Sequence, residues 1–197
     1  MPLTLRVPAD EAVAAADRVG YPVAVKAAHR RIGGSIEAGM ALDLTDEADV
    51  VESVAAMREH LGDDAAIVQV QPMLHAGTDL RVHVVDDDRL GPIVTVGLGG
   101  VQADLIGDEV SRLAPVSPTV GRRMVEASRA APALDDDELA RLGELIARVA
   151  HLASDHRRIH EIDLNPVIVS EQGCWVADAS ITIGDADRLE AVRRLDS

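Results

Sequence analysis

HEIDLNPVIVSEQGCWVADASI, residues 160–181, reads as two alternating strands joined at Ser170 to Gly173. A regular hairpin with that turn pairs Val169 with Cys174 and sets Asn165 directly opposite Asp178. Opposed residues on one face hold their Cβ atoms about 4.5–5.5 Å apart. Residues two apart share a face, so Glu161, Asp163 and Asn165 point the same way as Asp178, while Ile162, Leu164 and Val176 point to the other side. Such a row of acids is costly unless a cation sits among it. Oxygen-only ligands with room for water and phosphate suit Mg²⁺. The same row also fits a plain solvated strand face, and Pro166 marks a place where a bulge would break the register.

Working outward, the chemical complement of that face is Lys26 in GYPVAVKAAHR, residues 20–30. It is the one lysine in a chain whose other cationic side chains are arginines. A lysine kept where arginine is otherwise used suggests a site that needs a compact ammonium on a thin stem. A lysine on a strand among small residues can hold nucleotide phosphates, as the VAIK strand of protein kinases does. VAVK matches that short pattern, but the HRD, DFG and glycine-rich elements of a kinase are missing. A P-loop is excluded because the lysine is not in a glycine loop, and GLGGVQ does not fit GxGxxG.

The remaining pattern predicts an α+β fold in α/β layers. Residues 10–19 form a helical stripe ending at Gly20, and Tyr21–Ala28 a buried strand. Ala38–Leu44 is a second strand. A helix capped by Thr45 or Asp46 runs to Gly62, and Ala65–Gln71 is a third strand. This part is βαβ-like. From Leu80 a hairpin follows, with Asp79, Arg81 and His83 on its polar side, then the loop Gly97–Gly100. Helices open at Ser117 with Pro118 and at Asp135. The change near Pro72 to Gly77 divides the chain into two lobes, 1–74 and 75–197.

Composition narrows the function classes. A formal net charge of −15 argues against nucleic acid as a partner. No apolar run is long enough to cross a bilayer, and MPLTLRVPADEA lacks the features of a signal peptide, so no membrane partner is expected and the expected compartment is the cytoplasm. Cys174 is the single cysteine, which excludes an intramolecular disulfide and a Cys-rich zinc site. The histidines show no metal-ligand spacing.

Taken together, GYPVAVK, VQPM, GPIVTVGLGG, ADLIGDEVSRLAP and EIDLNPVIV followed by VADASI resemble the ATP-grasp domain of the ADP-forming acyl-CoA synthetases, the acetate and succinate CoA ligase superfamily. The likeness covers nearly the whole chain in order. It is greatest to actinobacterial forms fused to a CoA-ligase core and a GNAT acetyltransferase. EIDLNP with the following Asp is its most specific part.

The resemblance implies two lobes gripping ATP, with Mg²⁺ as the metal. By motif position, Lys26 would contact phosphates, and Val68, Gln69, Val70 and Gln71 would form the hinge offering backbone groups to adenine. Asn165 and Asp178 would hold the metal, with Asp163 beside them. Asp79 stands where the family carries Glu near the nucleotide, and Arg112 matches the arginine of its RLxP segment. Partners would be CoA-ligase or acetyltransferase domains on another chain. The activity implied is ligase-like phosphoryl transfer between ATP or ADP and a phosphohistidine or acyl phosphate. The motifs identify no catalytic residue.

The chain also departs from the pattern. After the lysine strand the family carries His-Lys or His-Arg before Gly-Gly, and in some members that histidine relays a phosphoryl group. Here HRRIGGSIEAGM, residues 29–40, puts Gly33-Gly34 near the dipeptide position and leaves His29 out of register. SRAAPALDDDELA, residues 128–140, lacks the family's Gly-x-Arg-Gly. The alternative expectation is therefore a degenerate, catalytically inactive ATP-grasp module with a regulatory or scaffolding role.

Overall fold

The computed structural model describes residues 1–28, 39–100 and 107–184. The chain divides into two units, Met1–His75 and Ala76–Ser197. His29, Gly33-Gly34, Ala38 and the stretch just after Gly100 lie outside the described residues.

In the first unit four strands, β1 (Leu5–Pro8), β2 (Val23–Ala27), β3 (Met40–Leu44) and β4 (Ile67–Pro72), form a sheet in the order β1-β4-β2-β3. All three pairings are antiparallel, so the βαβ-like expectation is corrected: no parallel crossover joins these strands. Helices α1 (Ala12–Val19) and α2 (Glu47–Leu61) supply the core partners. Val23, Val25, Val68 and Val70 alternate into a cluster with Ala12, Ala15, Ala16, Val50, Val54 and Met57. Alanines on α1 allow a close approach to the sheet. Asp46 caps α2 by accepting the Asp49 N–H at 3.0 Å, and Asp49 in turn accepts the Thr45 N–H at 2.8 Å. Strand β1 was not anticipated. Its four residues include Pro8, and it is defined only by its pairing with β4.

In the second unit the path is β10-β8-β5-β6-β7, with β9 also on β8. The strands are β5 (Thr78–Asp87), β6 (Gly91–Leu98), β7 (Val110–Leu113), β8 (Ile159–Ser170), β9 (Gly173–Val176) and β10 (Ala179–Ile183). Helices α3 (Pro118–Glu126) and α4 (Asp136–Asp155) contribute Met124, Val125, Leu142 and Ile146 to a core with Leu80, Val82, Val94, Val96, Ile162, Leu164 and Val167. Ser117 caps α3, and Asp135 with Glu138 forms a reciprocal capping box on α4.

The two helices meet at glycines. A Cβ on Gly143 would stand 2.5 Å from the Pro118 carbonyl oxygen, and one on Gly121 would stand 2.7 Å from that of Gly143. Both clashes involve backbone, which cannot swing aside. Gly143→Ala is therefore expected to destabilise the fold by about 1–3 kcal/mol although alanine is the better helix former. Denaturant titration checks this, and an unchanged or raised midpoint would contradict the close crossing.

Strand β8 organises the polar side. It pairs Val169 with Cys174 and Leu164 with Ala179, and the Asn165 N–H donates to the Asp178 carbonyl at 3.2 Å. The hairpin register thus runs unbroken through Pro166. The shift falls on the other edge, where Leu80 pairs with Val167 but Val82 pairs with Leu164. Burial consequently skips a step: Ile162 and Leu164 are buried, Asn165 and Pro166 are not, and Val167 and Val169 are buried again. No helix of the described residues is long and apolar enough to cross a membrane.

Candidate functional site

In the first unit, the face of the sheet away from the helices carries one polar row. Register places Arg6, Gln69, Lys26 and Met40 side by side across the four strands. Lys26 is only 4% exposed. A buried ammonium is expensive unless it is compensated, which makes the position a built one and not a surface lysine trailing into solvent.

The hinge expectation for Val68, Gln69 and Val70 is corrected here. Strand β4 is paired with β1 on one edge and β2 on the other across these residues. Successive residues of such a strand send their N–H and C=O alternately to the two neighbours, so the ladder consumes them. The Gln71 side-chain oxygen is also engaged, accepting the Thr4 hydroxyl at 3.3 Å. Past Pro72, the Met73 N–H donates to Pro22, and Leu74 and His75 lie beyond the ladder.

In the second unit, the face opposite the helices carries Asp79, Arg81 and His83 on β5 and Glu161 and Asp163 on β8. Arg81 grips Asp163 with two hydrogen bonds, Nε to Oδ1 at 2.7 Å and Nη2 to Oδ2 at 3.0 Å. His83 Nε2 lies 2.8 Å from Glu161 Oε1. Because His83 is opposite Asp163 and Val85 is opposite Glu161, both β5 side chains reach diagonally along the ladder in the same direction. This corrects the expectation of three converging carboxylates. The acids do share a face, but Glu161 and Asp163 are drawn to β5. Among the described residues no three His, Cys, Asp or Glu side chains come together as a metal site.

What remains at the hairpin is an oxygen pair, Asn165 and Asp178. The Asn165 Oδ1 accepts the Gly100 N–H at 2.9 Å, which orients the amide and ties β8 to the glycine loop. One Asp178 oxygen accepts the Ala179 N–H at 3.0 Å. The loop is held from below as well, by the Gly99 N–H on the Asp79 carbonyl at 2.8 Å. An added Cβ on Gly99 would overlap the Leu80 carbonyl, so only glycine fits that approach. One carboxylate and one amide oxygen are a suitable protein share for Mg²⁺, which keeps waters and takes phosphate oxygens for the rest.

Asp79 lies beside this loop. A Cβ on Gly100 would stand 3.2 Å from its Oδ2. Its side chain reaches solvent, yet desolvation by the surrounding protein raises its carboxyl above the ordinary aspartate value. A raised folded-state value means that the charged form is disfavoured, so stability is greatest below the unfolded value of about 3.9 and is lost as pH rises through the folded one. Asp79→Asn should therefore raise the melting temperature at pH 7, with the gain fading on acidification. Melting curves across pH check this, and a drop at pH 7 would contradict it.

Arg112 is not brought to this face. It pairs with core residue Val94 at the edge strand β7, while its neighbour Ser111 shares a 2.8 Å hydroxyl contact with Thr95 on the polar side. The Arg112 guanidinium is exposed and donates to the Ser111 carbonyl. Burial pushes the Cys174 thiol up to about 11, which disfavours the thiolate at neutral pH.

The family profile of the ATP-grasp domain matches residues 2–183. The chain is 30% identical over 185 residues to the ADP-forming 4-hydroxybutyrate–CoA ligase of Nitrosopumilus maritimus, covering 87% of this chain and 26% of that protein. It is 28% identical to the beta subunit of the ADP-forming acetate–CoA ligase II of Pyrococcus furiosus, covering 88% of this chain and 80% of the subunit. Among solved structures, the dinucleotide-forming acetyl-coenzyme A synthetase 1 of Ca. Korarchaeum cryptofilum, in complex with coenzyme A and Ca-AMPCP, matches with a TM-score of 0.82 at 26% identity. That match covers 93% of this chain and 86% of the other. The same protein with Mg-AMPPCP, its phosphohistidine segment pointing towards the nucleotide binding site, matches at 0.76. The chain spans about a quarter of the length of the first curated relatives it matches.

Proposed function

The chain belongs to the ATP-grasp domain family and is related to the ADP-forming acyl-CoA synthetases, and from that premise we propose that it is the Mg-ATP-handling part of such a ligase. It moves a phosphoryl group between ATP or ADP and a phosphohistidine or acyl phosphate carried by partner domains. The observation that carries this reading is the burial of Lys26, the chain's one lysine, on the polar face of the first sheet.

In this reading Lys26 binds phosphate oxygens and offsets their charge as it shifts during transfer. Adenine takes backbone groups after Pro72, at Leu74 and His75, in place of the ladder-bound residues before it. Asn165 and Asp178 hold Mg²⁺, with Asp163 beside them, and Gly99 and Gly100 let main chain approach the nucleotide. The metal supplies charge neutralisation on the phosphates when bound. Asp79 lies near the nucleotide.

Partner CoA-ligase domains, on another chain or accompanied by an acetyltransferase domain, supply the acceptor. The Pyrococcus relative is likewise one subunit of its ligase. The matched relatives are ligases and synthetases, which does not favour the inactive alternative.

A thermal shift series tests the binding step. Millimolar Mg-ATP or Mg-ADP should raise the melting temperature in a concentration-dependent way, because a ligand bound only by the folded chain stabilises it. A melting temperature indifferent to both nucleotides would overturn the reading.

A further inference from the structure

The nucleotide reading leaves one feature of the second unit without a role. Arg81, at 28% side-chain exposure, holds both oxygens of Asp163, at 26%, in a fork of 2.7 and 3.0 Å. Asp163 precedes Asn165 by two residues on β8, one step along the polar face from the amide read as a metal ligand. On β5, Arg81 falls where pairing to β8 skips, between Leu80 opposite Val167 and Val82 opposite Leu164, so its strand position abuts the Asn165–Pro166 irregularity. His83 and Glu161 repeat the arrangement one step further on. Each acid that could enlarge the metal site towards β5 is thus already engaged by a β5 side chain.

We propose that Arg81 is a positioning residue that withholds Asp163 from the metal's coordination set, so that the site accepts a metal already carried by nucleotide in preference to a bare divalent cation. This rests on the reading of Asn165 and Asp178 as the metal pair. Two oxygen ligands with one negative charge make a weak site for a free cation, and phosphate oxygens complete it. A third ligand with a second negative charge would turn the pair into a site able to hold a free divalent ion, since charge count and ligand number set the affinity of oxygen sites. The bidentate fork matters because it occupies both Asp163 oxygens in a fixed plane. A lysine would hold only one of them as a point charge.

The test measures binding of free Mn²⁺ by electron paramagnetic resonance, without nucleotide, and binding of Mg-ADP by calorimetry. Arg81→Met should bind free Mn²⁺ about tenfold or more tighter than the wild type. Arg81→Lys should fall between the two, and Arg81→Met with Asp163→Asn should return to the wild-type value. A merely structural role for Arg81 would lower the melting temperature without producing that reversal. Unchanged Mn²⁺ affinity in folded Arg81→Met and Arg81→Lys would overturn the proposal. If neither wild type nor variants bind Mg-ADP, the nucleotide reading falls, while the Mn²⁺ arm still decides what Arg81 does to Asp163.

Discussion

Replacing Lys26 with methionine is expected to weaken Mg-ATP binding by about 10- to 100-fold, the size of effect of losing charged hydrogen bonds worth roughly 1.5–3 kcal/mol. The side chain is 4% exposed on the middle of a buried strand. Methionine fills nearly the same volume, so a melting curve beside the titration separates loss of binding from any change in fold stability. Lys26→Arg should not rescue binding, since the broader guanidinium does not fit where a thin stem ends in a compact charge. Calorimetry with the three proteins checks both binding statements. Equal affinity in Lys26→Met would remove Lys26 from the site.

The second large effect concerns metal dependence. In the wild type, ATP should bind more tightly with Mg²⁺ than with a chelator present. In the double variant Asn165→Ala with Asp178→Asn, that difference should vanish, leaving the weaker metal-free affinity under both conditions. The two residues sit opposite one another, joined by the Asn165 N–H to the Asp178 carbonyl. The substitutions remove side-chain oxygens and charge without touching that backbone bond. Asn165→Ala also frees the Gly100 N–H, so a melting curve should accompany the titration. A double variant that keeps the full Mg²⁺ enhancement would show that the metal is held elsewhere.

How much of this was legible in the sequence depended on how local the determining contacts are. The Val169 to Cys174 pairing follows from a turn and strict alternation, and the register carries through to Asn165 and Asp178 without distant information. The caps at Asp46, Ser117 and Asp135 are likewise short-range chemistry. The partners of Asp163 and Glu161 were not legible, because β5 and β8 are about eighty residues apart in the chain and nothing in either strand fixes their mutual register. The irregularity beside Pro166 was foreseeable, but which edge would absorb it was not. It fell on the β5 side, so the hairpin survived.

Strand β4 failed as a hinge for a similar reason. The short strand β1, with four residues and a proline, gives little signal of its own, and only its pairing reveals that β4 is flanked on both edges across Val68, Gln69 and Val70. Arg112 illustrates the limit of motif position: its strand is where the motif suggests, but its register partner is the core residue Val94. The fold class was set by features that repeat many times along the chain, whereas the site turns on a few pairings between distant strands.

The measurement closest to the central claim is a calorimetric titration of the unmodified chain with Mg-ATP. The account predicts saturable binding to a single site, weakened when Mg²⁺ is withheld. Absence of binding at millimolar nucleotide, with or without Mg²⁺, would contradict it.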